Sequence, residues 1–395
     1  MILLEKSDKI TILFLSWRDI KSPKMGGAEI FTHEMMRNSN LNSFRIIHFS
    51  PEFTGSINQE NIDGITYVRE GNLFNVIFKS KKFYKKNIEN INYLIDQCNT
   101  HRFFSKFWVE DNKRLFLIFQ LTKEIWNYHL KFPFNKLGIF LENFMLKLNK
   151  NDFTITESES TKKDLINVGF NKEKIKIIPI GLNFKPWDKK DFFTKELLPT
   201  FIYVGRFAKY KGIDTCIKAF GMFKKNYNNA KLWIVGKIDE RYFKKSLLNI
   251  CLLNNLTFGD SSENNDIIFY GFVDEKTKLE LISKAHALLF PSIREGWGII
   301  ITEAAAVGTP SLVYNSPGLV DAVNYGEAGY IVVRNDEHGL FRSMTEVMEN
   351  KVKYEKIRQN ALAFSNNFSW ERTGRDFTNF IINLDNLSSI NSGDL

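Results

Sequence analysis

Short runs of β-branched, aromatic and leucine residues recur along this 395-residue chain, separated by stretches in which apolar positions return every three or four residues. Compact apolar runs bounded by turn residues read as strands, and the three-and-four spacing reads as amphipathic helix. In the first half the strand runs are ITILFLS (10–16), FRIIHFS (44–50), ITYVRE (65–70), NYLID (92–96), LFLIFQ (115–120), FTITES (153–158) and IKIIPIG (175–181). A polar break, LNFKPWDKKDFFTKELLPT (182–200), interrupts them. The pattern restarts with FIYVGR (201–206), KLWIVG (231–236), IIFYGF (267–272), ALLFPS (287–292), PSLVY (310–314) and GYIVV (329–333). Alternating strands and helices predict an α/β protein with two doubly wound parallel sheets joined near 183–200. The length agrees, because a single core stops growing at about 250–300 residues.

From Asn335 onward the chain shows only helical spacing, and residues 387–395 read as a frayed end. NKLGIFLENFMLKLNK (135–150) places Leu137, Phe140, Leu141, Phe144 and Leu148 on one helical face; membrane insertion is the alternative, but we expect the face to pack onto a sheet. FKSKKFYKKN (78–87) interleaves five lysines with aromatics. A solvated face and a contact with an anionic membrane surface both fit it, while nucleic acid lacks any accompanying recognition fold. No repeat of fixed period is visible, which excludes solenoids.

Composition changes this picture little. With 44% hydrophobic and 25% charged residues, and 36 phenylalanines, the chain can fill aromatic cores. The net charge of +9 is uneven: 27 Lys+Arg against 20 Asp+Glu over 1–183 give +7, and 27 against 25 give +2 beyond. A basic first half suits anionic lipid, a phosphate-bearing substrate or nucleic acid, and equally an excess that only solubilises the chain. Cys98, Cys216 and Cys251 lack CxxC or His-rich spacing, which argues against a disulfide framework or a metal site and for a reducing, cytoplasmic setting. We read no secretory signal and no membrane span.

Two segments carry chemistry. In VGRFAKYKG (204–212) a strand ends at Gly205, and Arg206 and Lys211 follow in a short loop before the helix IDTCIKAF. A guanidinium fork and an ammonium beside a helix N-terminus make an anion site, with a diphosphate as the natural guest. In ALLFPSIREGWGIIITEAAAVGTP (287–310) a buried strand ends at Pro291-Ser292, a glycine-bearing loop follows, and a helix is predicted over Ile299–Ala306. Glu295 then stands on the loop and Glu303 just over one turn into the helix. Two such different environments suit separate hydroxyl clamps better than a matched acid/base pair.

The ordered series GGAE (26–29), TESESTKKDL (156–165), IIPIGL (177–182), VGRFAKYKG, LWIVG, FYGFV, PSIREGWGIIITEAAAVGTP and GEAGYIV resembles the nucleotide-sugar-dependent glycosyltransferases of family 4. The resemblance runs from about residue 10 to 375 and is most specific over 200–333. It implies the GT-B fold, two Rossmann-like domains facing a central cleft, and a retaining transfer that needs no metal and no cofactor beyond the donor. The implied boundaries are 1–183 for an acceptor-side domain, 184–199 for a linker and 200–365 for the nucleotide-sugar domain. Residues 366–395 would form a helix crossing back to the N-terminal domain and a frayed tail.

Carried over by position, Arg206 and Lys211 would bind the donor diphosphate and stabilise the leaving nucleotide, with Glu295 at the transferred sugar as the third catalytic group. Glu303 would hold the ribose hydroxyls. Gly205, Gly296, Trp297, Gly298 and Ile299 would line the donor, Gly26 and Gly27 would approach its phosphates, and Phe272 would lie near the base. The family commonly has a histidine after the fifth strand, where this chain has Phe119 and Gln120. His101 and His129 are the remaining candidates for its task. The expected partners are a UDP-sugar donor and a glycan or lipid-linked acceptor met at the membrane's cytoplasmic face. The rivals are a sugar-nucleotide-binding subunit without turnover, and a phosphorylase or epimerase on the same fold. A dehydrogenase is disfavoured, because no G-x-G-x-x-G follows either domain's first strand.

Overall fold

The computed structural model describes residues 4–99, 101–261 and 264–393. The chain divides into two compact units, Met1–Thr122 with Leu137–Asn183 and Phe368–Leu395, and Lys123–Lys136 with Phe184–Asn367.

The first unit holds an eight-stranded sheet of β1 (Ile10–Leu15), β2 (Phe44–Ser50), β3 (Gln59–Ile62), β4 (Ile65–Arg69), β5 (Tyr93–Cys98), β6 (Arg114–Ile118), β7 (Phe153–Thr156) and β8 (Ile175–Ile177), in the order β3-β4-β2-β1-β5-β6-β7-β8. Every pairing is parallel except β3 with β4 at the edge. That strand, QENI, is short and polar, so its sequence carries no apolar run. Crossovers between the parallel strands place helices on both faces of the sheet. Numbering only helices of eight or more residues, α1 (Gly27–Arg37) and the terminal helix (Trp370–Gly393) share one face, where Phe377 meets Phe14 and Phe44. Gly374 is required there, because a side chain would strike the carbonyl of Asn38. The helix runs on through Gly393, where a frayed tail from 387 was expected, and residues 394–395 lie outside the description.

The opposite face carries α2 (Val76–Lys86), α3 (Phe134–Leu146) and α4 (Glu159–Val168). Val76, Phe83 and Tyr84 of α2 bury against Leu13, Leu15, Ile47 and Leu94. Leu146 and Leu165 bury against Cys98, Phe116 and Ile118. The expectation for α3 is overturned: Leu146 is its one buried residue, and Leu137, Phe140, Leu141 and Phe144 are 46–65% exposed. The spacing correctly marked an apolar stripe, but the stripe faces away from the sheet.

The second unit holds β9 (Thr200–Val204), β10 (Lys231–Val235), β11 (Phe258–Gly259), β12 (Ile267–Gly271), β13 (Ala287–Phe290), β14 (Ser311–Tyr314) and β15 (Tyr330–Val332), in the order β11-β12-β10-β9-β13-β14-β15 and parallel throughout. Around it lie α5 (Ile213–Lys224), α6 (Glu275–Lys284), α7 (Ile299–Ala306), α8 (Glu337–Glu349) and α9 (Lys351–Ser365), and the terminal helix is then α10. Residues 184–199 are not a free linker. Trp187 N–H donates to Ala306 O at 2.9 Å, and the Lys195 ammonium donates to Ser283 O, Ala285 O and Thr309 Oγ1 at 2.6–2.9 Å. Burial holds that lysine well below its ordinary pKa, and three acceptors satisfy its donors. Residues 123–136, expected within an unbroken first domain, pack with the second unit.

Each unit also contains a histidine that the fold keeps neutral. Burial lowers His48 to about 4, and burial with the nearby Lys195 lowers His286 to about 4. Both values lie below the ordinary 6.5, so the unfolded chain takes up these protons first and stability falls as pH drops from 6.5 toward 4. Thermal melts from pH 7.5 to 4.5 should show this decline, and a His286→Gln variant should show a shallower one. Parallel curves for the two proteins would remove His286 from the account.

Candidate functional site

The strand order of the second sheet reverses at β9, which pairs with β10 on one side and β13 on the other. Loops leaving strands at such a reversal diverge, and ligands of open α/β sheets lie at the carboxyl ends there. The loop after β9 carries Gly205, Arg206 and Lys211, and the loop after β13 carries Glu295, Gly296, Trp297 and Gly298. The two candidate segments therefore meet because their strands are neighbours, although Lys211 and Glu295 are separated by 84 positions.

The meeting point is a buried ion pair. Lys211 Nζ donates to Glu295 Oε1 at 2.5 Å, and Ser292 Oγ donates to the same oxygen at 2.6 Å. The ammonium also lies over the rings of Tyr210 and Phe290 at 5.4 and 5.3 Å, which favours a cation at that spot. Backbone bonds join the loops further, with Ile293 N–H on Tyr210 O at 3.0 Å. Gly212 has φ +77° and stands so close to Pro291 that a Cβ would come within 2.5 Å of its carbonyl oxygen. Arg206 is exposed, with a guanidinium nitrogen 3.4 Å from Tyr210 Oη.

Gly298, at φ +91°, turns the second loop into α7, whose first amides lack intrahelical acceptors. Ile299 opens that helix. Trp297 is buried, and its indole N–H donates to Thr302 Oγ1 at 2.9 Å, so it anchors the turn. Glu303 is buried and accepts from Lys278 Nζ of α6 at 2.6 Å. Burial pushes the Glu303 carboxyl up against the pull of Lys278. Burial would lower the Lys278 ammonium, but Glu303 and Glu275 hold it above its usual range. Phe272, beyond the end of β12, is 83% exposed.

Three participants were not singled out from sequence. Lys278 belongs to an ordinary charged helix and Ser292 to a common dipeptide, so neither carried a signal. The third is the pair of Arg294 with Glu124, at 2.6 Å, which ties the 123–136 segment to the loop bearing Glu295. Burial opposes ionisation of Glu124, yet Arg294 holds it below the usual carboxylate range. The same segment puts His129 beside Tyr210, with ring centroids 6.4 Å apart.

In the first unit, Gly26 caps α1 and Gly27 begins it. Gly26 N–H donates to Glu29 Oε2 at 2.7 Å, while Arg18 and Asn99 donate to Oε1 at 2.9 and 3.0 Å. Phe119 is consumed by packing, edge-on to Phe31 at 5.3 Å. Among the described residues, Gln120 Oε1 is buried with no hydrogen-bond partner. His101 lies beside Trp17, with ring centroids 6.0 Å apart.

Residues 185–364 match the family described as glycosyl transferases group 1. The second unit is a glycosyltransferase group 1 domain. Among curated relatives, the capsular polysaccharide biosynthesis glycosyltransferase CapM of Staphylococcus aureus is 26% identical over 220 residues, 52% of this chain and 53% of CapM. The chain spans only somewhat over half the length of the first such relatives. Among solved structures, sucrose-phosphate synthase from Thermosynechococcus elongatus superposes with a TM-score of 0.73 at 18% identity, covering 96% of this chain and 100% of that one. Anabaena HepE in complex with UDP-glucose gives 0.69 at 15% identity, covering 95% and 100%. These likenesses show the fold, two Rossmann-like parallel-sheet units of the GT-B class.

Within the group 1 domain, the buried pair makes a thermodynamic prediction. Lys211→Met or Glu295→Gln alone leaves a buried group without its partner and should cost about 3–5 kcal/mol of stability. The double variant should lose less than the two single losses summed. Urea unfolding checks this, and simple additivity would show that the two side chains do not depend on each other.

Proposed function

We propose that the protein is a retaining glycosyltransferase, moving a sugar from a nucleoside diphosphate donor, with UDP favoured, to a hydroxyl of a glycan or lipid-linked acceptor in cell-surface polysaccharide synthesis. The observation that carries this reading is the Lys211 ammonium, held at the sheet's reversal beside the glycine loop after β13. Positive charge fixed there is aimed at the charge that grows on a departing diphosphate. Arg206, exposed and, among the described residues, reaching only Tyr210, would fork onto the phosphates. Glu295, already held by Lys211 and Ser292, would accept from the sugar hydroxyls. Glu303 would accept from the ribose diol, with Lys278 pulling its carboxyl down against the upward push of burial. The relatives' names support this reading: CapM takes its name from capsular polysaccharide biosynthesis, and HepE binds UDP-glucose.

Retention would follow if the leaving phosphate takes the acceptor's proton on the face it departs from. No separate base is then required, which accommodates a phenylalanine at position 119. Gln120, with its unpartnered carbonyl oxygen, would meet the acceptor side. The cations would do the work otherwise given to a metal, so chelation with EDTA should leave turnover intact. Three buried cysteines without metal-site or disulfide-framework spacing, Cys98, Cys216 and Cys251, fit a cytoplasmic setting.

A second reading, a sugar-nucleotide-binding subunit without turnover, rests on Phe119. Release of free nucleotide from UDP-sugars, followed with and without acceptor, separates the two readings, and product analysis recognises a phosphorylase or an epimerase. Arg206→Ala and Lys211→Ala should each lower turnover by about two orders of magnitude. Glu303→Ala should weaken nucleotide affinity measured by calorimetry. Full turnover in both cation variants would remove the diphosphate assignment.

A further inference from the structure

The α3 stripe is not an isolated surface feature. Along β5, Leu94 and Cys98 share a face by the two-residue alternation, and they belong to the cores under α2 and α3 respectively. Both helices therefore cover the same side of the first unit's sheet. The loop between β5 and β6 lies among them: Trp108 packs edge-on to Tyr84 of α2 at 5.5 Å, and Arg102 donates to the backbone carbonyl of Met145 in α3. The outer surface of this layer presents Leu73, Phe74 and Phe78 at α2, Phe107 in the loop, and Leu137, Phe140, Leu141 and Phe144 on α3. Five of these eight exceed 60% exposure.

Cations frame that apolar surface. Helix α2 bears Lys79, Lys81, Lys82, Lys85 and Lys86 and no acidic residue. Only Lys79 of these ends on a carboxylate, Glu70, in the ion pairs of the described residues. Within the same unit, residues 137–150 add Lys147 and Lys150 against one acid, Glu142. That carboxylate is turned to the backbone N–H of Thr122 at 2.5 Å. Among the described residues, no helix is long and apolar enough to cross a membrane.

We propose that this layer docks on an anionic lipid surface, with the α3 side chains entering the acyl boundary and the lysines meeting phosphate headgroups. Large apolar side chains on one helical face, bordered by lysines, match an interfacial helix. A second copy of the chain fits less well, because two such faces would bring like charges together. The inference stands apart from the transfer reaction, since it requires neither donor nor acceptor.

Co-sedimentation of the full chain with vesicles of phosphatidylcholine, alone or mixed with phosphatidylglycerol, tests it without any nucleotide sugar. The chain should sediment with the anionic vesicles, less so as salt rises. A Phe140→Ser/Phe144→Ser variant should lose at least about tenfold in partitioning. Its melting temperature should be kept, because both side chains are exposed. A Lys81→Gln/Lys82→Gln/Lys85→Gln/Lys86→Gln variant should bind more weakly and with a flatter salt dependence. Wild-type protein left in the supernatant with anionic vesicles at low salt, or serine variants that bind as well as wild type, would overturn the proposal. So would a wild-type dimer that the serine variant converts to monomer with no effect on lipid binding.

Discussion

Where the order of a parallel sheet reverses, the loops leaving two neighbouring strands turn apart, and their backbone amides and side chains face the same small space. In the second unit this happens between β9 and β13, and the candidate site hangs on that one pairing. Lys211 and Glu295 close the gap with a buried contact of 2.5 Å. Removing an ammonium and a carboxylate from water is costly, and the cost is met only where geometry and further partners are good. Ser292, the two aromatic rings and the interloop backbone bond supply those partners. The loops are thus held in register before any ligand arrives, and a preset charge does more for a reaction than one that must be gathered.

Much of this could be read from residue order. All thirteen expected strand runs coincide with strands, because parallel strands buried on both faces are written as continuous apolar runs. The helix expected at Ile299–Ala306 has those bounds, fixed by Gly298 before it and Gly308 after it. The two strands that were missed, QENI and the pair Phe258–Gly259, are edge strands too polar or too short to leave a pattern. Edges bury little, so selection for burial leaves little trace in them.

The illegible part has a common cause. Periodicity reports that a stripe is apolar, not what covers it, so α3 could not be told from a core helix by spacing. Polar composition likewise hid the fact that 184–199 lies along the second unit through Trp187, Phe193 and the buried Lys195. Long-range ion pairs leave no local signal at all. Lys278 with Glu303 and Arg294 with Glu124 join residues 25 and 170 positions apart, and nothing near either partner announces the other. These pairs adjust the candidate site. Lys278 opposes the upward push of burial on the Glu303 carboxyl, and Glu124 holds the arginine next to Glu295.

The central claim is that the loops after β9 and β13 form a diphosphate site on the group 1 domain. Calorimetric titration of the same protein with UDP, UMP and uridine addresses it most directly, because the three ligands differ only in phosphate. The account predicts that each phosphate tightens binding and that UDP exceeds UMP by about tenfold or more, the worth of one charge-assisted contact. Equal affinities for UDP and UMP would contradict it.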